Sequence, residues 1–292
     1  MENIKQGIER AKASQSSSKP RVTADLRLPQ PRLDSGATAL NGAGRQIEET
    51  ELNFAHLRSR RIVSHDGADH LSRPYDMLRT QVLQAMDLDG WKILGVTSPT
   101  PGCGKTVTAV NLAFSIARQP DRSVVLVDMD LQKPRIADCL GLAAAEGGVL
   151  DILQERTTLQ SAAINVRVGD QRIVVLPTAA TRKSSELMGS GAMRNLLHDI
   201  KRHYQSHVII LDLPPILSSD DVISILPQID CVLLVAAVGL SKTSEVEECN
   251  RHLQSSHLVR LVVNKVTDAN SNYYYDYQSD RVHLKGRHRR TS

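Results

Sequence analysis

The sequence predicts an open, doubly wound α/β domain in which a mostly parallel sheet carries helices on both faces. Three observations support this fold class: short apolar runs recur through the middle of the chain, helical segments separate them, and the runs are continuously apolar rather than alternating. A strand of a parallel sheet covered by helices has neither face in water, so continuous apolar runs are typical of it.

The apolar runs and the helical segments between them predict individual strands and helices along the chain. The predicted strands are Ile93 to Thr97, Val124 to Val127, Ile173 to Leu176, Val208 to Leu211, Val232 to Val235 and Val259 to Val263. The clearest predicted helices between them are Lys105 to Arg118, Met193 to Tyr204 and Ser241 to Leu253.

A further amphipathic helix is predicted ahead of the first strand. Apolar residues recur there at helical spacing, namely Leu71, Tyr75, Leu78, Val82 and Ala85 or Met86. Pro74 suits only the first turn of such a helix, because proline has no backbone N–H to donate.

Composition divides the chain into three parts. Residues 1–55 are rich in Ser, Pro, Gly and Gln without a sustained apolar period, which predicts a disordered leader. Residues 56–267 form the predicted folded domain, with residues 56–90 as its helical lead-in. Residues 268–292 are polar, tyrosine-rich and basic, which predicts a flexible tail.

Charge and cysteine usage limit the class of partner and the compartment. The formal net charge of +4 comes from 36 basic and 32 acidic residues, too small an excess to predict a nucleic-acid partner. The four cysteines show no metal-ligand spacing, and no window approaches the roughly 18 apolar residues of a membrane span. We therefore expect a cytoplasmic protein without disulfides or zinc.

The segment after the first predicted strand has the order of a phosphate-binding P-loop. Pro101-Gly102-Cys103-Gly104-Lys105-Thr106-Val107 joins that strand to a helix, although Pro99 stands where the general pattern has glycine. The glycines let backbone N–H groups close around phosphate oxygens. Lys105 is predicted to reach the β- and γ-phosphates, and the hydroxyl of Thr106 to bind Mg²⁺.

Carboxylates end two further predicted strands. Asp128 and Asp130 follow the second strand, and Asp212 follows the fourth. Ligands of open parallel sheets sit beyond the carboxyl ends of the strands, so these acids are predicted to face the P-loop. Asp128 is the candidate base and metal neighbour, and Asp212 the candidate Mg²⁺ carboxylate. A single Asp after a strand is more often a helix cap, but three in this order favour a site.

Two features outside the P-loop and the acids complete the candidate site. Asn264 ends the last predicted strand, where either a contact with a nucleotide base or a turn-forming role is open. Four of the six tyrosines lie together at Tyr273, Tyr274, Tyr275 and Tyr277. This cluster is either a set of phosphorylation sites or an aromatic tail that packs on a partner.

These motifs together resemble the bacterial tyrosine kinases of capsule and exopolysaccharide synthesis. The resemblance rests on the P-loop followed by Asn111-Leu112-Ala113, then on VLVDMDLQKP and VIILDLPP, and it spans about residues 71 to 277. Supporting matches are Leu78-Arg79-Thr80, Glu186-Leu187-Met188 and Ser219-Asp220-Asp221. The chain departs from the family at Cys103, where Glu is common, and in Arg73-x-x-Asp76-x-x-Arg79. At the latter positions the family has Glu-x-x-Arg-x-x-Arg, a pattern that it uses for ring assembly.

The resemblance implies an autokinase that uses Mg²⁺ and ATP to phosphorylate the C-terminal tyrosine cluster in trans within a homo-oligomer. It also implies catalytic roles for Lys105, Asp128, Asp130 and Asp212, and an activating membrane protein that sets polysaccharide chain length and recruits the kinase to the membrane.

Two other functions remain open from the sequence. One is a partitioning-type ATPase switch, although Thr100 occupies the position where those proteins carry a second lysine. The other is a non-catalytic ATP-binding regulator of polysaccharide assembly.

Overall fold

A computed structural model describes residues 49–143, 148–254 and 256–266, and these residues build an eight-stranded sheet with helices on both faces. The strands are β1 Glu49–Glu51, β2 Ile93–Thr97, β3 Ser123–Asp128, β4 Ile164–Val168, β5 Gln171–Leu176, β6 His207–Asp212, β7 Cys231–Ala237 and β8 His257–Asn264. Their order across the sheet is β1-β4-β5-β3-β6-β2-β7-β8. Every neighbouring pair is parallel except β4 and β5. The predicted fold class is confirmed.

Helices occupy the connections between the strands. They are α1 Phe54–Ser59, α2 Arg73–Asp89, α3 Lys105–Ala117, α4 Ile136–Leu140, α5 Val149–Leu153, α6 Leu159–Ala162, α7 Ser184–Met188, α8 Gly191–His203, α9 Asp221–Ile225 and α10 Thr243–His252. Two short 3₁₀ turns, His70–Ser72 and Leu226–Gln228, precede α2 and follow α9. In the described residues no helix has the length and apolar character needed to cross a bilayer.

The apolar core lies in two layers, one on each face of the sheet. Helices α2 and α3 cover one face, where Phe114 is fully buried. Helix α8 covers the other face with Met193, Leu196, Leu197 and Ile200. Side chains alternate along a strand, so Leu94 packs in the first layer and Ile93 in the second. This two-sided burial explains why the central strands are continuously apolar in sequence.

The six predicted strands are confirmed, and two strands were missed. Strand β4 reads Ile-Asn-Val-Arg-Val, an alternating pattern, because it lies near the sheet edge and is only partly buried. Strand β1 has the sequence Glu-Thr-Glu and all three residues are exposed. Its only sheet neighbour among the described strands is β4, so it needs no apolar side chains.

The predicted leader overlaps the folded region at its end. Residues 1–55 were predicted to be disordered, but Glu49–Glu51 pair with β4, and Leu52 is buried. The backbone N–H of Leu52 also donates to the carbonyl of Arg167. Polar composition concealed this strand, because an edge strand is held by its backbone rather than by apolar side chains.

The predicted helical lead-in is also more divided than the pattern suggested. Helix α2 buries Leu78, Val82 and Met86 as predicted and carries Pro74 in its first turn. Leu71 lies before this helix in a 3₁₀ turn and is half exposed, so it is not part of the apolar face.

A carboxylate fixes the amino end of the strand that leads to the P-loop. Asp230 accepts the backbone N–H groups of Lys92 and Ile93 at 2.7 and 2.8 Å, and the ammonium of Lys201 at 3.0 Å. Although partial burial acts in the opposite direction, these donors lower the pKa of Asp230.

We expect Asp230→Asn to lower the free energy of unfolding by about 1.5 kcal/mol at pH 7, because the ionised acceptor of these hydrogen bonds becomes a neutral amide. The pKa of Asp230 is lower in the folded state, so its contribution is present above the unfolded pKa of about 4 and disappears as the pH falls through the folded value. Urea denaturation of both proteins at pH 7 and at low pH measures this. Asp199→Asn, on the exposed side of α8, is the control and should change stability by less than about 0.5 kcal/mol. An equal effect of the two substitutions would contradict the role of Asp230.

Candidate nucleotide-binding site

Three adjacent strands bring the predicted site residues together at their carboxyl ends. Strand β6 lies between β2 and β3, so Asp212 pairs with Val96 on one side and with Asp128 on the other. All three strands run in the same direction, so their carboxyl ends lie on the same side of the sheet. The P-loop and the loops that carry the acids therefore begin side by side.

The two P-loop glycines adopt backbone conformations that other residues avoid. Gly102 has φ 86° and Gly104 has φ 96°. A Cβ atom on Gly104 would lie 2.2 Å from Nδ2 of Asn264. The backbone angle therefore favours glycine at position 104, and a larger residue there would also force the amide of Asn264 to move.

Neighbouring loops hold the P-loop in place at both ends. At its start, the carbonyls of Ser98 and Pro99 accept the N–H groups of Ile216 and Leu217, in the loop after β6. At its end, Nδ2 of Asn264 donates to the carbonyl of Cys103 at 2.9 Å. Asn264, predicted either to contact a nucleotide base or to form a turn, thus contacts the P-loop backbone. The nucleotide contact stays a prediction.

The side chain of Lys105 is buried among carboxylates. Its Nζ atom lies 2.9 Å from Oδ2 of Asp130 and 3.4 Å from Oδ1 of Asp212. The side chain of Lys105 is only 11% exposed, and that of Asp212 is 0% exposed. Burial disfavours the ammonium, but Asp212 and Asp130 outweigh it and raise the pKa of Lys105. Lys105 is therefore charged at neutral pH.

Thr106 and Asp212 form the contact that suits a divalent cation. The hydroxyl of Thr106 donates to Oδ2 of Asp212 at 2.6 Å. Both groups are buried, and burial raises the pKa of Asp212 even against the charge of Lys105. A hydroxyl and one carboxylate fit Mg²⁺, which binds few protein oxygens and keeps water and phosphate as its other ligands. No cage of three or more His, Cys, Asp and Glu side chains occurs in the described residues.

Asp128 is held by the backbone of its own loop. Its Oδ1 atom accepts the N–H of Asp130 at 3.2 Å, and its Oδ2 atom accepts those of Arg135 and Ile136 at 3.0 and 2.9 Å. Burial and the neighbouring charge of Asp212 raise the pKa of Asp128 to about 7. Asp128 thus shapes the loop that carries Asp130, and its predicted roles as base and metal neighbour stay predictions.

The structure therefore brings most of the predicted site residues together. Lys105, Thr106, Asp130 and Asp212 are in direct contact, and Asp128 is adjacent to Asp212 in the sheet. Within the P-loop, Cys103 is fully buried, and its thiol donates to the carbonyl of Thr100 at 3.2 Å. Pro101 is exposed and Val107 half-buried. The four clustered tyrosines, Tyr273, Tyr274, Tyr275 and Tyr277, lie outside the described residues.

Sequence reasoning missed the contacts that connect the loops around the site. Asp221, Ser184 and Gln132 meet through side-chain hydrogen bonds although they come from three different loops. In the sequence these residues are marked only by their position after predicted strands. That position does not indicate which side chains they bind.

The fold and this site define a P-loop nucleotide-binding protein. The family model described as AAA domain matches residues 91–254, which is more than half of the chain. The chain belongs to this family.

Relatives of the chain are named tyrosine-protein kinases. Tyrosine-protein kinase YwqD of Bacillus subtilis is 27% identical over 209 residues, which cover 70% of this chain and 85% of that protein. The protein named "Putative tyrosine-protein kinase EpsB" of Ralstonia solanacearum is 30% identical over 203 residues, which cover 69% of this chain and 26% of that protein. The chain spans less than a third of the length of the EpsB proteins that it matches.

Solved kinase domains share the fold. The kinase domain of the Escherichia coli tyrosine kinase ETK is 28% identical, with a TM-score of 0.61, and the match covers 71% of this chain and 82% of that one. The resemblance to bacterial tyrosine kinases, which the motifs indicated, is confirmed by these relatives.

We expect Gly104→Ala to destabilise the protein more than Gly90→Ala does. Both glycines have positive φ, but a Cβ atom on Gly90 meets nothing within 4 Å. Gly90→Ala should therefore cost only the backbone term of about 1–2 kcal/mol, and Gly104→Ala should add the clash with Asn264. Urea denaturation measures both.

The double variant Gly104→Ala/Asn264→Ala isolates the clash. Removing the amide should make the alanine at position 104 less costly than it is beside Asn264, as a double-mutant cycle would show. Purely additive effects would mean that Asn264 does not constrain this glycine.

Proposed function

We propose that this protein is an ATP-dependent tyrosine autokinase that regulates capsule or exopolysaccharide synthesis or export. The observation that carries the proposal is the contact of Lys105 and Thr106 with Asp212 at the carboxyl end of the sheet. The similarity to proteins named tyrosine-protein kinases supports phosphoryl transfer to tyrosine as the use of this contact.

Lys105 and the P-loop backbone would bind the triphosphate. The ammonium of Lys105 is charged and buried, so it can neutralise the oxygens of the β- and γ-phosphates with little competition from water. It now pairs with Asp130 and Asp212, and phosphate would compete with those carboxylates for it. Helix α3 begins at Lys105 and adds the positive end of its dipole.

Thr106 and Asp212 would hold Mg²⁺. When bound, the cation neutralises charge on the β- and γ-phosphates and polarises the γ-phosphoryl group. The hydroxyl of Thr106 and the carboxylate of Asp212 already touch, so both oxygens can turn to a common ligand without a large movement.

Asp128 and Asp130 would divide the remaining tasks. A tyrosine oxygen forms a bond to the γ-phosphorus while the bond from that phosphorus to the β–γ bridging oxygen breaks and ADP leaves. The phenolic proton must go to a base, and a carboxylate with a pKa of about 7 is suited to accept it near neutral pH. We assign this role to Asp128 and the orientation of Lys105 to Asp130.

The C-terminal cluster Tyr273, Tyr274, Tyr275 and Tyr277 is the proposed substrate. A neighbouring copy would supply it in trans, and a membrane-bound chain-length regulator would activate the kinase and recruit it to the inner face of the membrane. Two charged residues of the segment that the family uses for assembly, Asp76 and Arg79, form contacts within this chain instead. Asp76 accepts hydrogen bonds from Ser115 and Arg118, and Arg79 donates to the carbonyl of Ser115. The oligomer would therefore use other groups, among which Arg73 is exposed.

Replacing Lys105 tests the proposed kinase. We expect the purified wild-type chain with ATP and Mg²⁺ to gain phosphate on its C-terminal tyrosines, and Lys105→Met to reduce the rate by at least about a hundredfold, because charge neutralisation at the phosphates is lost. Intact-mass and peptide mass spectrometry measure the phosphate and its position.

The matched control is Lys92→Met, an exposed lysine at the opposite end of β2. It should phosphorylate at the wild-type rate. If the wild type hydrolyses ATP but gains no phosphate alone or with a membrane activator, the protein is a nucleotide switch rather than a tyrosine kinase.

A further inference from the structure

A buried carboxylate without a cationic partner lies close to the proposed catalytic loops. Asp221, at the start of α9, is 0% exposed. In the part of the chain that the structure describes, no Lys, Arg or His forms an ion pair with it. A buried carboxylate is costly unless hydrogen bonds stabilise it, so its partners indicate what it does.

Three side chains donate to Asp221. Ser184 and Gln132 donate to Oδ2, the latter through Nε2 at 3.1 Å, and Ser185 donates to Oδ1 at 2.5 Å. Charge-assisted bonds of this kind are stronger than bonds between neutral groups. Asp221 is thus firmly bound to groups from other loops rather than to its own helix.

The donors come from two loops at the same edge of the sheet. Gln132 belongs to the loop after β3, and the two serines begin α7, which follows β5. A backbone bond of 2.7 Å from the N–H of Thr181 to the carbonyl of Leu131 joins these two loops as well. Asp221 itself follows β6, so one carboxylate connects the segments after three strands.

Gln132 lies within the loop that sets the position of Asp130. The backbone N–H of Lys133 donates to Oδ1 of Asp130 at 3.0 Å, and Oδ2 of Asp130 lies 2.9 Å from Nζ of Lys105. The hydrogen bond from Gln132 to Asp221 therefore fixes this loop at a point between Asp130 and Lys133. The carboxylate of Asp130 contacts Lys105, and the backbone N–H of Lys133 orients that carboxylate.

We propose that Asp221 is a positioning residue for the phosphoryl-transfer site. Its carboxylate fixes Gln132, and Gln132 fixes the loop Asp130–Lys133, which sets the contact between Asp130 and Lys105. Asp221 touches neither of these two residues, so it acts through the loop. This inference rests on the proposed function for its effect on phosphorylation, but its effect on the loop is independent of it.

The principal test compares Asp221→Asn with Asp220→Asn in the full chain. Asp220 is the adjacent exposed carboxylate and makes no side-chain capping bond, so both variants lose one negative charge. We expect hydrogen exchange at the amides of Lys133 and Arg135 to become about tenfold faster in Asp221→Asn and to stay unchanged in Asp220→Asn. Amides of α2 should exchange as in the wild type in both.

Phosphorylation supplies the second readout. We expect kcat to fall about tenfold in Asp221→Asn, because the catalytic groups lose their alignment, while the affinity for ADP with Mg²⁺ changes less than about threefold. A purely structural defect would instead weaken nucleotide binding and activity together.

A second variant keeps the test decisive if Asp221→Asn does not fold. Gln132→Ala removes the connecting bond at an exposed residue and leaves the bonds from both serines to Asp221. It should accelerate exchange at Lys133 and Arg135 to a similar extent. Where Asp221→Asn does fold, the double variant should add no further increase. Wild-type exchange at these amides in folded Gln132→Ala would overturn the inference. If the wild-type protein forms no phosphotyrosine, the proposed kinase function is wrong. The exchange data would still decide the role of Asp221 in holding the loop.

Discussion

The arrangement of the site depends on one buried ammonium group. Lys105 is enclosed by Asp130 and Asp212, with Asp128 next to Asp212 in the sheet, so three carboxylates surround one positive charge. Removing one partner of such a buried pair typically costs about 3–5 kcal/mol. Burial, together with the neighbouring charge of Asp212, raises the pKa of Asp128 to about 7. A triphosphate would add more negative charge, so we expect a divalent cation to strengthen its binding.

The sheet topology makes this cluster possible, and the loops preserve it. Placing β6 between β2 and β3 aligns Asp212 with both the P-loop strand and Asp128. Hydrogen bonds between loops then fix the rest: Asn264 holds the P-loop, and Asp221 holds the loop after β3. The apolar strands thus determine where the site residues lie, and the polar contacts between loops align their side chains.

Much of the fold and of the site followed from the sequence, because the relevant signals are local. The buried central strands are continuously apolar, and the Gly-Lys-Thr segment lies between a strand and a helix. Strands β1 and β4 were missed because the sheet edge does not demand apolar residues. The hydrogen bonds of Asn264 and Asp221 were missed because they join segments far apart in sequence, and no spacing rule predicts such pairs. The division of tasks among the three acids likewise depends on which backbone amides reach each carboxylate.

Titration calorimetry of ADP into the full chain tests the electrostatic account most directly. With Mg²⁺ in excess we expect saturable binding at one site per chain, and with the cation chelated we expect at least about tenfold weaker binding, because phosphate would then face the carboxylates unscreened. Asp212→Asn should reduce this difference, since it removes one of the buried charges that Mg²⁺ offsets. Equal affinity with and without Mg²⁺, or no binding under either condition, would contradict the account.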